Sequence, residues 1–208
     1  MPIAPAHASY DRHRGRPLDA FTPLRDLVGN VTPADLHYVS SHGSVPPDID
    51  PGQHRLVISG LVKRPLVFTM DELVRLPSVS RPHYIECVVN RPTTEWKTVE
   101  QMHGMISGLA WSGSGAVRRV EVSADGGHSW SDAAIDDPPR RMAWTRFTAP
   151  WAWNGKEAML QSRCTDEKGQ IQPSAAEYAQ FWGTSGAPHG NAIQPWRVTD
   201  DGFVLNAF

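Results

Sequence analysis

The sequence predicts a mainly β protein with some α, its second half closing as a β-sandwich, and three observations carry that prediction. Eight tryptophans and many short runs of Val, Thr and Trp favour a pleated, half-buried surface. Glycine and proline, 17 and 18 residues of 208, place turns at short intervals. From Leu109 onward, several short strand-like runs alternate with Gly-rich turns over about a hundred residues, the spacing of a sandwich.

Taken in order, residues 1–31 are rich in Pro, Arg and His and read as a leader that packs on the surface or frays. Thr32-Pro33-Ala34-Asp35-Leu36 predicts a helical turn with Thr32 as N-cap and Pro33 at the first helical position. His54–Gly60 and Pro65–Phe68 have strand composition. Thr69-Met70-Asp71-Glu72 has capping-box spacing ahead of Leu73, Val74 and Leu76, so a short helix should end before Pro77. His83–Val89 reads as a buried strand running into a turn at Asn90-Arg91-Pro92, and Thr93–Ser107 shows no strong periodicity.

Val117–Ser123 predicts a strand, Asp125-Gly126-Gly127 a tight hairpin turn, and His128-Ser129-Trp130 the start of the return strand. Met142–Phe147 is a further strand, and Asn154-Gly155 turns the chain into Glu157–Cys164. In that last run Ala158, Leu160, Ser162 and Cys164 share one face, which makes Cys164 a core residue. Ile193–Val198 supplies a late strand. The tryptophans at 111, 130, 144, 151, 153 and 196 read as core or subunit-facing residues.

The totals exclude several classes. A formal charge of −2 without Lys/Arg runs gives no footprint for nucleic acid or an anionic membrane surface. Two cysteines make no disulfide framework, and the lack of C-x-x-C-H excludes a covalent c-type haem. No stretch reaches membrane-spanning apolar length, and Met1–His7 has neither an apolar signal core nor a twin-arginine pair. As written, the chain is expected in the cytoplasm.

The stretch with most chemistry is His83-Tyr84-Ile85-Glu86-Cys87-Val88-Val89-Asn90-Arg91. A thiolate at Cys87 could bind a soft metal, with Asn90 and Arg91 placed to hold an anionic ligand beside it. Equally, Cys87 could be a small buried hydrophobe, Asn90 a turn former, Arg91 a solvated charge and His42 a loop histidine. The remaining histidines show no zinc spacing apart from the weak His83-x-x-x-Cys87 pair.

Both halves then resemble one family. Gly108-Leu109-Ala110-Trp111-Ser112-Gly113-Ser114-Gly115, Arg118–Gly127 with Trp130, Trp144–Phe147, Pro150–Gly155, Gln161-Ser162-Arg163, Gly169–Pro173 and Ile193–Trp196 resemble the dimerisation domain of sulfite-oxidase-type molybdenum enzymes. His54–Val57, Gly60-Leu61-Val62, Arg64–Leu73, Ile85-Glu86-Cys87 with Asn90, Thr94–Lys97 and His103-Gly104 resemble the opening of that family's molybdopterin domain, in the manner of bacterial sulfane/sulfite dehydrogenases. The resemblance implies a partial molybdopterin-binding domain of α+β type over 32–107 and an immunoglobulin-like sandwich over 108–208 that pairs two subunits. It implies a molybdenum–molybdopterin cofactor ligated by Cys87, with Asn90 and Arg91 toward the cofactor and His42 at the substrate. It implies a cytochrome c electron acceptor and, in many members, a periplasmic home.

Two departures accompany the match. After Met105-Ile106-Ser107 the family's cofactor domain runs on, whereas this chain passes directly to Gly108–Gly113, as if an internal deletion had joined two similar stretches. At Tyr38-Val39-Ser40-Ser41-His42 the family's oxyanion-holding arginine is replaced by Ser40, a loss of about 1.5–3 kcal/mol of charge-assisted binding. Two functions follow. One is a molybdopterin oxidoreductase taking two electrons from sulfite or protein-bound sulfane sulfur; the alternative is a catalytically inactive remnant acting only as a dimerising sandwich.

Overall fold

Short β-branched runs separated by glycine turns do become strands in the computed structural model, which describes residues 9–10, 17–20, 22, 27, 29–40, 49–85, 95–96, 103–183 and 190–207. The chain divides into two units: Met1–Leu27 with Thr32–Arg81, and Val28–Val31 with Pro82–Phe208.

In the first unit, β1 (Ser9–Tyr10), β2 (Pro17–Ala20) and β3 (Val39–Ser40) form a small antiparallel sheet in that order. Between β2 and β3 lies a 3-10 turn at Ala34–Leu36. Its N-cap is Pro33 rather than the expected Thr32, and no side chain caps it. A second sheet is the hairpin of β4 (Arg55–Ile58) and β5 (Leu66–Thr69), with Leu56 opposite Phe68 and Val57 opposite Val67. Helix α1 (Met70–Val74) follows directly, and the predicted capping box is present: Thr69 Oγ1 accepts from the Glu72 amide while the Glu72 carboxylate accepts from the Thr69 amide.

The second unit begins its strands with β6 (Glu95–Trp96) and β7 (His103–Ala110), where the sequence showed no period. Next come β8 (Val117–Ser123), β9 (Ser131–Asp132), β10 (Ala134–Ile135), β11 (Thr145–Ala152) and β12 (Ala158–Asp166). Helix α2 (Ala175–Trp182) precedes β13 (Trp196–Val198) and β14 (Val204–Asn206). One sheet has the order β10-β11-β7 and the other β6-β14-β13-β12-β8-β9, all of their pairings antiparallel. The two sheets share a core: Ala110, Phe147 and Ala149 from the first meet Val117, Val120 and Val122 from the second, with Ile106, Ile135 and Cys164 packed against them. The expected sandwich is therefore present, and Cys164 lies on its inner side as its strand period required.

Turn chemistry explains why these strands reverse where they do. Gly126 and Gly127 take φ of 74° and 91°, and Gly155 takes 77°. The return after Gly127 starts later than predicted, at Ser131, because His128–Trp130 complete the turn: Ser129 donates to Asp125 and the Trp130 indole donates to the Gly127 carbonyl. Likewise β11 begins at Thr145, not Met142, since Met142 occupies the left-handed region at φ 60° and cannot lie in a ladder.

Strand β7 runs without interruption through Ser107 and Gly108, the suspected junction. Gly108 faces Phe147 across the ladder, and a Cβ there would sit 2.4 Å from the phenyl ring. Outside the core, Glu121 is buried on the other face of β8, where Arg163 and Arg119 both pair with it and the Arg163 guanidinium lies 4.2 Å from the centre of the Trp130 ring. Among the described residues no helix is long and apolar enough to cross a membrane.

Candidate functional site

Four residues carry the sequence-predicted site, His42, Cys87, Asn90 and Arg91, and all four lie outside the described residues. What is described is the approach to Cys87. Of the strand expected over His83–Val89, residues 83–85 form none and 86–89 lie outside the described residues; Ile85 is exposed. The reason is local: the Tyr84 amide donates to the Met142 carbonyl at 2.6 Å, outside any ladder. The Tyr84 ring packs on Trp111 with centroids 4.3 Å apart and on Trp144 at 5.8 Å.

Tyr84, Trp111, Ser112, Gly113 and Met142 line a cleft of about 150 Å³. Ser112 in this lining is held by Asp166, which accepts from its hydroxyl at 2.8 Å and from the Lys168 and Gln170 amides. Burial works against that charge, yet these hydrogen bonds hold the Asp166 carboxyl below its ordinary value. The sequence offered Trp111 and Trp144 as core or subunit-facing residues; both are half-buried, and both also serve Tyr84. The signal for that role was an aromatic, Tyr84, placed just ahead of the cysteine.

Cys164 is the described thiol. Burial and the nearby Asp166 charge push it up to about 11, and its Sγ lies 3.7 Å from the Trp111 carbonyl. A thiol held protonated across the ordinary pH range is a poor metal ligand. A second hollow, open and about 410 Å³, is lined by Ala124, Asp125, Glu157, Ala158, Met159 and Arg197. Its charges are already engaged: Glu157 pairs with Arg197, and Asp125 accepts from both Ser123 and Ser129.

A pterin cofactor with its phosphate and metal needs a pocket of roughly 300 Å³ or more with cationic or amide donors converging on it. The described residues do not seat it: the cleft at Tyr84 is too small and carries no cation, and among them no three His, Cys, Asp or Glu side chains gather as a metal site.

Comparison with known proteins places these features. Residues 42–167 match the family model described as the oxidoreductase molybdopterin binding domain. The chain is 34% identical over 136 residues to the NADH nitrate reductase of Ulva prolifera, covering 64% of this chain and 14% of that protein. It is 43% identical over 81 residues to the NADH nitrate reductase of Volvox carteri, covering 38% of this chain and 9% of that protein. It thus spans a small part of the length of both. In fold it is similar to a chain of the sulfane dehydrogenase SoxCD from Paracoccus pantotrophus, with a TM-score of 0.74 at 22% identity, covering 96% of this chain and 90% of that one.

Proposed function

The chain belongs to the oxidoreductase molybdopterin-binding-domain family, and from that premise we propose that it serves the two-electron oxidation of sulfite or protein-bound sulfane sulfur. In this reading Cys87 ligates molybdenum, Asn90 and Arg91 hold the anionic cofactor, and His42 stands at the substrate. The sandwich over 108–208 pairs two subunits, and a cytochrome c takes the electrons. One observation carries the proposal: the family match opens at His42 and spans Cys87, Asn90 and Arg91. The fold likeness to a sulfane dehydrogenase supports sulfur as the substrate element, while the nitrate reductase relatives make nitrate the competing oxyanion.

A second reading, a dimerising sandwich without turnover, is favoured by a different observation. The described residues close an apolar core between two sheets by themselves. One experiment separates the two. Molybdenum is quantified by mass spectrometry in the purified full chain, alongside sulfite- and thiosulfate-dependent reduction of cytochrome c and viologen-driven reduction of nitrate. About one molybdenum per chain with sulfite or thiosulfate turnover upholds the enzyme; turnover of nitrate alone replaces its substrate. Metal-free protein that elutes as a dimer leaves the second reading standing.

A further inference from the structure

The approach to β11, Met142–Arg146, does more than enter a sheet. Its Met142 carbonyl accepts the Tyr84 amide at 2.6 Å, and its Trp144 ring packs on the Tyr84 ring at 5.8 Å. The same Trp144 turns its indole N–H to the Asn30 carbonyl at 2.8 Å. Beside it, the Arg146 guanidinium donates to the Gly29 carbonyl at 3.3 and 3.4 Å, and the Asn30 side-chain amide donates to Asp137. Gly29 has φ of 77°, a conformation that suits glycine at the bend where this segment meets the strand. Two stretches separated by more than fifty positions in the sequence are therefore fastened to one five-residue edge.

The division of labour within Trp144 is chemical. Its ring face supplies dispersion and quadrupole contact to Tyr84, for which any aromatic ring of similar size would serve. Its N–H supplies a hydrogen bond to Asn30, which a phenyl ring cannot. Met142, at φ 60°, is a non-glycine residue held in the left-handed region, and that backbone aims its carbonyl at Tyr84.

We propose that Trp144 is a positioning residue: its ring holds Tyr84, three positions ahead of Cys87 in the sequence, while its N–H separately straps Asn30 to the sandwich. The consequence for metal ligation rests on the reading of Cys87 given above; the fastening itself does not.

The test uses the whole chain as purified, with its molybdenum content measured. Amide exchange at Tyr84 reports the first contact, and chymotryptic cleavage after Leu27 reports the strap. Alkylation of Cys87 by iodoacetamide, followed by mass spectrometry, reports the thiol, with the half-buried Cys164 as internal control. Trp144→Ala should speed Tyr84 exchange and Leu27 cleavage at least tenfold and change Cys87 alkylation at least threefold, leaving Cys164 unaltered. Trp144→Phe should speed Leu27 cleavage, the Arg146 and Asp137 bonds still holding Gly29 and Asn30, but keep Tyr84 exchange and Cys87 alkylation within twofold of the parent. Should Trp144→Ala lower the fold itself, Tyr84→Ala and Tyr84→Phe replace it, the first changing Cys87 alkylation and the second restoring it. Unchanged Tyr84 exchange in folded Trp144→Ala, or equal release of both segments by Trp144→Phe, overturns the proposal. A chain that carries no molybdenum as purified, and in which these effects persist, defeats the molybdenum reading alone.

Discussion

Two antiparallel strand pairs meet opposite fates in this chain. In β4–β5, the cross-strand neighbours Val57 and Val67 are 58% and 59% exposed, and Leu61 in the connecting turn is fully exposed. In β8 and β12, Val120 and Cys164 stand opposite each other, and Val120 is 1% exposed. The strands themselves do not differ in kind; what differs is whether a second layer exists to face them. Propensity makes a ribbon, and only a partner sheet makes a core, which is why a lone two-stranded ribbon is marginal in water. An apolar face left on an uncovered ribbon marks an interaction surface or an aggregation liability.

The largest effect that tests this contrast comes from the residue bridging the two layers. Phe147 is 3% exposed and packs over Gly108, so Phe147→Ala should destabilise the second unit by roughly 3–5 kcal/mol. Gly108→Val attacks the same contact from the other side by driving a Cβ into the ring, at about 1–3 kcal/mol. Urea unfolding followed by tryptophan fluorescence measures both. A Phe147→Ala change below about 1 kcal/mol would mean that the two sheets do not depend on each other.

Next in size is the ion network on the outer face. Glu121 is 5% exposed and takes two hydrogen bonds from Arg163, at 2.9 and 3.2 Å. Arg163→Ala leaves that carboxylate with Arg119 alone and strips the cation from Trp130, a loss of about 2 kcal/mol. The matched change on the uncovered ribbon, Val57→Thr with Val67→Thr, should stay within about 0.5 kcal/mol by the same urea assay. It should nonetheless reduce binding of a hydrophobic dye. If the ribbon pair costs more than Arg163→Ala, its valines are covered and the contrast is false.

How much of this could be read from the sequence follows from the same physics. The Thr69–Glu72 box, the Gly126-Gly127 and Asn154-Gly155 turns, and the strand at Val117–Ser123 were legible because each is a local rule. Strand β7 was not, because its period is broken by Gly104 and Gly108, which stand opposite Trp151 and Phe147. Helix α2 was missed although Ser174 and Glu177 carry the same box spacing as Thr69 and Glu72, its eight residues having no buried side to set a period. At the site, Cys87 stood out by chemistry and family likeness, whereas the Tyr84 anchor depends on Met142 and Trp144, which no local pattern links to it.

The smallest predicted effect compares two carboxylates, one in each unit. Asp125 accepts from the Ser129 hydroxyl and amide and from Ser123, which together hold its carboxyl far below the ordinary 3.8. Glu72 is lowered from 4.5 by the Thr69 amide and hydroxyl in the α1 box. A carboxyl depressed on folding adds stability above its unfolded value and loses it as pH falls toward the folded one. For Asp125 that loss falls on the turn closing β8, whose strand lines the core, so it reaches global unfolding. For Glu72 it falls on a five-residue helix with no buried residue, and stays there. Urea midpoints between pH 3 and 6, a range of about three units around these carboxyls, should drop less steeply on acidification in Asp125→Asn than in the parent chain. Glu72→Gln should leave that slope unchanged and show only as faster amide exchange in α1. An equal slope in Asp125→Asn would place the turn outside the cooperative unit, and a changed slope in Glu72→Gln would put the exposed ribbon and its helix inside it.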